Sequence, residues 1–248
     1  MALGVWHRSI DGGLSMVRCG HQCVQLATWL GCPRHAYGLI LEFSDLAHLR
    51  AHLGGLQVFE KGRFVEDIRS AMLEDDAQDA VAEVVARAVS EPGAIIAELG
   101  TPGQGRSEQL FADEGLTVSN IIWGTEMWVP PHDHTMWAVI GVYLGQEENT
   151  FWRDGDDGLK QVGGVSMRNG DVRKLGADAI HSVRNPSIQL TGAIHVYGGD
   201  FFGAIPDRHS WDPNTLERGP YDYDYINSLR LEANSRMETL RADGVHIA

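Results

Sequence analysis

The chain has 248 residues, 43% of them hydrophobic, which is enough to bury a sizeable core as one domain or as one domain with appendages. Its formal net charge of -14 argues against non-specific binding to nucleic acid or to an anionic membrane, because both need a positively charged face. No apolar stretch approaches the roughly 20 residues that span a bilayer, and the N-terminus lacks a secretory signal pattern. We therefore expect a cytoplasmic protein without a nucleic-acid or membrane partner, whose oligomeric state the sequence leaves open.

Residues 1–40 mix Gly, His, Cys and Trp without a steady hydrophobic period, and we treat them as an N-terminal extension of uncertain structure. The three cysteines, Cys19, Cys23 and Cys32, all lie here. Their odd number suits a reducing compartment, and their spacing matches no standard zinc finger. We assign no site to this stretch.

Residues 41–248 are predicted to form a single domain, with a helical lead-in over residues 41–99 and a helical C-terminal segment over residues 213–248. Apolar residues at helical spacing, bounded by start and stop signals, mark each helix. The predicted helices cover residues 44–53, 65–72, 76–89 and 224–240. Pro92 and Gly93 are expected to end the third of these helices.

Residues 100–212 have the texture of β-strands, namely short apolar runs separated by Gly, Asp and Asn. Examples are residues 116–123, 137–144, 162–167 and 189–197. No helix between them is long enough for a crossover connection, so the pattern favours an antiparallel barrel over a parallel sheet. The expected fold is mainly β.

The most informative motif is His132-Asp133-His134. On an extended strand alternate side chains share a face, so His132 and His134 project together while Asp133 points away. Two imidazoles on one face can chelate a metal ion, although such a pair on a half-buried strand is more often a matter of packing.

A third histidine lies in a second motif further along the chain. Gly170, His181 and Asn185 stand at the offsets of the second cupin motif, which has a glycine turn, a histidine on the next strand and an asparagine at the following turn. With the first pair, they predict a three-histidine metal site.

Residues 110–202 resemble the small cupins of the cysteine dioxygenase type, which include bacterial relatives acting on other thiols such as 3-mercaptopropionate. The resemblance implies a double-stranded β-barrel in which His132, His134 and His181 hold Fe(II). It also implies an enzyme that adds O2 to a small thiol to give a sulfinate.

Many cupins place a glutamate ligand a few residues after the first histidine pair. The residues that follow Thr135 are instead Met136, Trp137, Ala138 and Val139. Three neutral imidazoles leave Fe(II) with its full double charge, whereas a carboxylate ligand would remove one unit. The extra positive charge favours an anionic thiolate.

Ala193, His195 and Tyr197 resemble the Ser-x-His-x-Tyr relay of this family, in which the tyrosine hydroxyl reaches the iron site and the histidine orients it. Alternation along a strand still puts His195 and Tyr197 on one face, so we assign both to catalysis. Ala193 replaces the serine, and Thr191 lies too far along the strand to take its role. The consequence of Ala193 is left open.

The sequence offers more than one candidate for the residue that recognises the substrate. In the mammalian-type enzymes an arginine upstream of the first histidine pair binds the substrate carboxylate, and counting back without gaps points to Arg106. If the apolar residues set the alignment, Glu108 takes that place and favours an amine-bearing thiol. Four other arginines could supply an anion contact: Arg168, Arg173, Arg184 and Arg208.

Two other functions remain open at the level of sequence. A three-histidine cupin oxygenase could instead cleave a carbon–carbon bond in a diketone or a phenolic compound. A metal-stabilised binding cupin would bind a small molecule without turnover, although no DNA-binding segment of the kind that accompanies sensors is apparent.

Overall fold

The computed structural model describes the backbone of residues 4–8 and 14–18, and residues 58–247 in full. The chain divides into two compact units, residues 1–54 and 55–248. In the first unit, strands β1 (Gly4–Arg8) and β2 (Leu14–Arg18) pair antiparallel. The sequence analysis assigned no element here, because strands this short show little periodicity. The three cysteines and the predicted helix over residues 44–53 lie outside the described residues.

Among the described residues, three helices precede the barrel and one follows it. They are α1 (Lys61–Ala71), α2 (Ala77–Val89), α3 (Pro92–Leu99) and α4 (Tyr223–Ala242). The three helices predicted within the described residues are confirmed, and α2 ends before Pro92 as predicted, but a further helix, α3, follows within the lead-in. This proline begins α3, at a first-turn position where no intrahelical N–H is needed.

The strands of the second unit form two antiparallel sheets. The five-stranded sheet has the order β3 (Arg106–Ala112), β4 (Thr117–Trp123), β11 (Thr191–Tyr197), β6 (Ala138–Leu144) and β9 (Val172–Leu175). The six-stranded sheet has the order β13 (Arg218–Pro220), β12 (His209–Trp211), β5 (Trp128–Asp133), β10 (Ile180–Arg184), β7 (Gln146–Arg153) and β8 (Lys160–Arg168). A short 3-10 helix, Ile205–Asp207, precedes β12.

Strand β11 shows how the two faces of the five-stranded sheet are used. Ile194 and Val196 pack into the core that this sheet shares with helices α1 to α3. Ala193 and Tyr197 belong to a separate core that includes Met167 of β8 and so lies between the two sheets. Because side chains alternate along a strand, His195 also faces the space between the sheets.

Helix α2 packs closely on the outer face of β6. A Cβ atom on Gly141 would collide with Val85 of this helix, so the strand needs a glycine at that position. Gln78 of α2 also donates through its Nε2 to the backbone carbonyls of Ala138 and Leu175, at 3.1 and 2.8 Å. These contacts fix the helices against the sheet.

The architecture confirms a mainly β fold of two facing antiparallel sheets, with helices before the barrel and one helix after it. Helix α4 packs against the barrel through Ile226 and Met237. Among the described residues, no helix is long and apolar enough to cross a membrane.

Candidate metal centre

The three predicted metal-binding histidines come together between the sheets. His132 lies on β5, His134 follows directly after it, and His181 lies on β10 directly opposite His132. The Nε2 atom of His134 is 3.2 Å from Nε2 of His132 and 3.2 Å from Nε2 of His181. All three side chains are buried, and the three nitrogens lie close enough together to bind one ion.

Hydrogen bonds at the other ring nitrogen orient two of these imidazoles. His132 donates from Nδ1 to the backbone carbonyl of Pro130 at 2.9 Å, and His181 donates from Nδ1 to Oδ1 of Asn149 at 2.7 Å. The amide orientation of Asn149 follows from its Nδ2, which donates to the carboxylate of Glu147 at 2.8 Å. Both histidines are thus held with unprotonated Nε2 atoms facing the centre of the site.

The electrostatics favour neutral imidazoles. Burial lowers the pKa of His132 to about 3, and the positive charge of Arg208 adds to this shift. Burial and the neighbouring histidines lower the pKa of His134 and of His181 well below the ordinary value. Neutral imidazole is the form that binds a metal ion.

The residues present therefore fit a metal ion. Lone pairs on Nε2 converge in a buried space, and such an arrangement is repulsive unless a cation or a proton lies between them. No carboxylate joins this donor group within the described part of the chain. Imidazole donors suit zinc, copper, iron and nickel, so the group can hold a metal ion whose identity the donors alone do not fix.

The local sequence explains how β5 and β10 bring the histidine side chains together. The pairing of β5 with β10 shifts register beside His181, next to Pro130 and Pro131, which lack the N–H groups of a regular ladder. Asn185 is fully buried and donates to the carbonyls of Gly124 and Gln189, so its role is to build a turn.

One detail of the second motif was predicted wrongly. Gly170 does form a turn with positive φ, but His181 is not on the next strand, because β9 intervenes between Gly170 and β10. A turn from Gly176 to Ala179 separates the two strands.

The structure places His195 and Tyr197 beside the three histidines. The Tyr197 ring packs edge-on against His134, with 5.1 Å between ring centroids. Its hydroxyl lies 3.1 Å from Nδ1 of His195. Burial raises the pKa of Tyr197 far above its ordinary value, so the hydroxyl keeps its proton and acts as a hydrogen-bond donor.

A fully buried carboxylate, Glu147 of β7, lies on the other side of His195. Its Oε2 accepts from Nε1 of Trp123 at 2.7 Å and lies 3.6 Å from Nε2 of His195. Burial by itself would raise the pKa of Glu147, but His195 and the hydrogen bonds from Asn149 and Trp123 lower it overall. The polar side chains thus form a series of contacts that runs from Tyr197 through His195 and Glu147 to Asn149, which binds His181.

A buried guanidinium lies over the site. Arg208 is fully buried and stacks between the rings of Phe201 and Tyr221, 4.1 and 3.8 Å from their centroids. Phe201 in turn packs against His134, and Tyr221 packs against His132. The Nε atom of Arg208 donates to a backbone carbonyl, but Nη1 and Nη2 have no hydrogen-bond partner among the described residues.

Arg106, the residue predicted to bind substrate, is not brought to the histidines. It lies opposite Ile122 on β4, and Glu108 lies opposite Asn120. Ile122 packs toward the helices, whereas the barrel side of β4 carries Ser119 opposite His195. Residues opposite each other in antiparallel strands share a face, so both Arg106 and Glu108 are on the outside of the barrel.

The sequence pattern did not point to Glu147 and Asn149 and did not separate Arg208 from the other arginines. Arg168, Arg173 and Arg184 are exposed. The alternation of Glu147 and Asn149 along β7 was a usable signal, because polar side chains recurring every second residue on a barrel strand face one side together.

No model of a known protein family matches the chain. Among solved structures, an RmlC-like cupin family protein from Methanocaldococcus jannaschii is similar at 12% identity, over 41% of this chain and 86% of that one, with a TM-score of 0.35. A cupin superfamily protein from Desulfitobacterium hafniense is similar at 15% identity, over 41% and 83%, with a TM-score of 0.33. DMSP lyase DddQ from Ruegeria pomeroyi is similar at 16% identity, over 39% and 48%, with a TM-score of 0.32.

The two facing antiparallel sheets, with the histidines between them, decide the fold. It is a double-stranded antiparallel β-barrel, as the sequence predicts. Barrels of this kind host many unrelated activities, so the reaction depends on the side chains that line this one.

Proposed function

We propose that this cupin is an Fe(II) thiol dioxygenase of the cysteine dioxygenase type, which converts a small thiol and O2 into a sulfinic acid. The balance is R–SH plus O2 giving R–SO2H, with both oxygen atoms ending on sulfur. The observation that carries this proposal is the donor set, three buried neutral imidazoles without a carboxylate among the described residues.

His132, His134 and His181 would hold the metal. When bound, Fe(II) with only neutral protein ligands would lower the pKa of the substrate thiol and favour the thiolate, so that no strong protein base is required. The protein supplies positioning, exclusion of water and electrostatics. Burial of all three histidines supports the exclusion of water.

Tyr197 and His195 are proposed to orient the substrate. The Tyr197 ring packs against His134, and its hydroxyl retains the hydrogen that it donates to Nδ1 of His195, so the hydroxyl oxygen can accept a hydrogen bond from a molecule held beside the metal. His195 fixes the direction of that hydroxyl through the contact at Nδ1.

Arg208 is proposed to select a thiol that carries a carboxylate. Leaving a buried guanidinium unpaired costs free energy, which an anionic partner at Nη1 and Nη2 would recover. Two parallel N–H groups match the two oxygens of a carboxylate. Since Arg106 and Glu108 lie on the outer face, Arg208 is the better candidate for this contact.

The test is O2 consumption by anaerobically Fe(II)-loaded protein, with 3-mercaptopropionate, cysteine and cysteamine as substrates. We expect uptake with a carboxylate-bearing thiol, formation of its sulfinate, and much weaker uptake with cysteamine, which has no carboxylate. His181→Ala should abolish uptake. Uptake with a β-diketone or a catechol instead would move the assignment to carbon–carbon bond cleavage, and bound iron without any uptake would leave a binding cupin.

Arg208→Gln separates substrate recognition from chemistry. Loss of a buried charge partner should lower kcat/KM for the carboxylate-bearing thiol on the order of 100-fold. Activity with cysteamine should change little, since it makes no use of the guanidinium. The matched control is Arg184→Gln, which removes an exposed arginine from the strand that carries His181. An equal loss for both thiols would contradict the role of Arg208.

A further inference from the structure

The carboxylate of Glu147 is buried inside the barrel, and its surroundings leave room for one more hydrogen-bond donor at Oε2. It is 0% exposed, Oε1 accepts from Asn149, and Oε2 accepts from Trp123. These two donors are neutral, and burying a carboxylate costs free energy that neutral donors offset only in part. A further N–H aimed at Oε2 would stabilise the charge.

The ring of His195 is placed to supply that N–H. Its Nε2 is 3.6 Å from Oε2 of Glu147, a little longer than a hydrogen bond. No other described residue offers this buried nitrogen a hydrogen-bond partner. Glu147 lies on β7 in the six-stranded sheet and His195 lies on β11 in the five-stranded sheet, so the pair bridges the interior of the barrel.

The opposite ring nitrogen is compatible with this arrangement. A phenol hydroxyl can donate or accept a hydrogen bond, so Nδ1 of His195, 3.1 Å from the Tyr197 hydroxyl, can accept its hydrogen when the ring carries its own hydrogen on Nε2. A neutral imidazole with hydrogen on Nε2 satisfies both contacts at once. The reverse tautomer would aim an N–H at a hydroxyl and a lone pair at a carboxylate.

We infer that Glu147 is a positioning residue that holds His195 in the Nε2–H tautomer and thereby sets the direction of the Tyr197 hydroxyl. This inference rests on the proposed function insofar as Tyr197 acts on the substrate. Glu147 would take the part that a serine at position 193 has in the resembled relay, where this chain has the fully buried Ala193. The partner thus comes from across the barrel instead of from the same strand.

The first test does not depend on activity. Two-bond 15N–1H correlation spectra of the full chain loaded with diamagnetic Zn(II) report which ring nitrogen of each histidine carries hydrogen, and His195→Gln assigns the signal. We expect His195 as the Nε2–H tautomer. A Nδ1–H tautomer or a doubly protonated ring in the unsubstituted protein overturns the inference, whether or not any variant folds.

Glu147→Gln then tests the cause. A glutamine of the same shape must present an amide N–H to at least one of its neighbours, so the Nε2–H population of His195 should fall by more than half. Glu148→Gln, the next residue of β7 with its side chain on the other face, is the matched control and should leave the spectrum unchanged. An unchanged His195 tautomer in Glu147→Gln overturns the inference.

Kinetics separate positioning from a merely structural role. With metal content equalised, Glu147→Gln should lower kcat by about 10- to 100-fold while KM changes less than threefold. Adding Ala193→Ser should recover part of kcat, because a serine hydroxyl could then serve Nε2 of His195. A loss of kcat in Glu147→Gln with the His195 tautomer unchanged would mean that Glu147 serves packing alone.

Failure of this inference and failure of the proposed function give different results. A barrel that consumes no O2 with any thiol but keeps His195 in the Nε2–H tautomer would overturn the function and leave the Glu147 contact standing. Thiol oxidation by a protein in which His195 is the Nδ1–H tautomer would overturn the inference about Glu147 and leave the proposed function standing.

Discussion

Asp133, the last residue of β5, lies between His132 and His134 and accepts a hydrogen bond from the backbone N–H of His209 at 2.8 Å. The side chain of His209 also reaches the other carboxylate oxygen, with Nδ1 at 3.1 Å. The preceding residue, Arg208, donates from Nε to the backbone carbonyl of Asp133 at 3.0 Å. Although its side chain points away from the three histidines, Asp133 holds the segment that contains Arg208 in place through these hydrogen bonds.

Asp133→Ala is therefore expected to weaken substrate binding without removing the metal. Loss of the hydrogen bonds to His209 frees the Arg208 segment, and we expect about a tenfold lower kcat/KM for a carboxylate-bearing thiol. Asp133→Asn keeps an oxygen that can accept the backbone N–H and should lose less. Iron content, measured alongside, should match that of the unsubstituted protein; a parallel loss of iron would show that Asp133 supports the histidines instead.

Asn149→Ala is expected to weaken metal binding. Asn149 accepts the Nδ1–H of His181 and thereby aims Nε2 at the metal, and loss of such an orienting partner typically lowers metal affinity about 10- to 100-fold. Competition with a chromophoric chelator measures this change for Zn(II) and for Fe(II). Asn214→Ala, at an exposed position, is the control. Equal affinities in both variants would contradict the orienting role.

The metal-free protein should lose stability as the solution becomes acidic. The folded-state pKa of His132 is lowered to about 3, so below pH 6.5 the unfolded chain takes up protons that the folded chain does not. Above pH 6.5 His132 is neutral in both states and does not change the free energy of unfolding. Between pH 6.5 and about 3 the free energy of unfolding falls by about 1.4 kcal/mol per pH unit. Urea unfolding between pH 7.5 and 4.5 measures this slope.

His132→Gln should flatten that dependence, because a glutamine does not titrate. Zn(II) should shift the onset of the loss to lower pH, since protons compete with the metal for the same nitrogen atoms. An identical slope in the metal-free protein and in His132→Gln would show that His132 is not kept neutral by folding.

Gly141→Ala should destabilise the fold, because its Cβ would meet Val85 of α2. We expect a loss of about 1–3 kcal/mol in the free energy of unfolding, as for other overpacked cores. Adding Val85→Ala opens space for the new atom, so the double substitution should cost less than the sum of the two singles. The control is Gly103→Ala, where nothing lies within 4 Å of the added atom. Strict additivity would show that the collision is relieved elsewhere.

The parts of the structure that could be predicted from sequence depend on local patterns. His132 and His134 share a face because the strand period is two, and that period needs no knowledge of neighbouring strands. Helices α2 and α4 were predicted from periodicity that spans several turns. The third candidate ligand, His181, was found because its motif resembles a known one.

The remaining parts depend on contacts between segments distant in sequence. Glu147 meets His195 across the barrel, and no spacing along the chain encodes the distance between the two sheets. The burial of Arg208 depends on an irregular segment held by Asp133. Arg106 was placed by counting back from the histidines, and counting does not tell which face of β3 meets the barrel interior.

Thiol dioxygenation at the three histidines is tested most directly by a single-turnover reaction of the Fe(II)-loaded protein with a carboxylate-bearing thiol under 18O2, followed by mass spectrometry of the product. We expect one sulfinate per iron with both of its oxygen atoms labelled, and no product in His181→Ala. A product that carries one label or none, or a disulfide in place of the sulfinate, would contradict thiol dioxygenation at the three histidines.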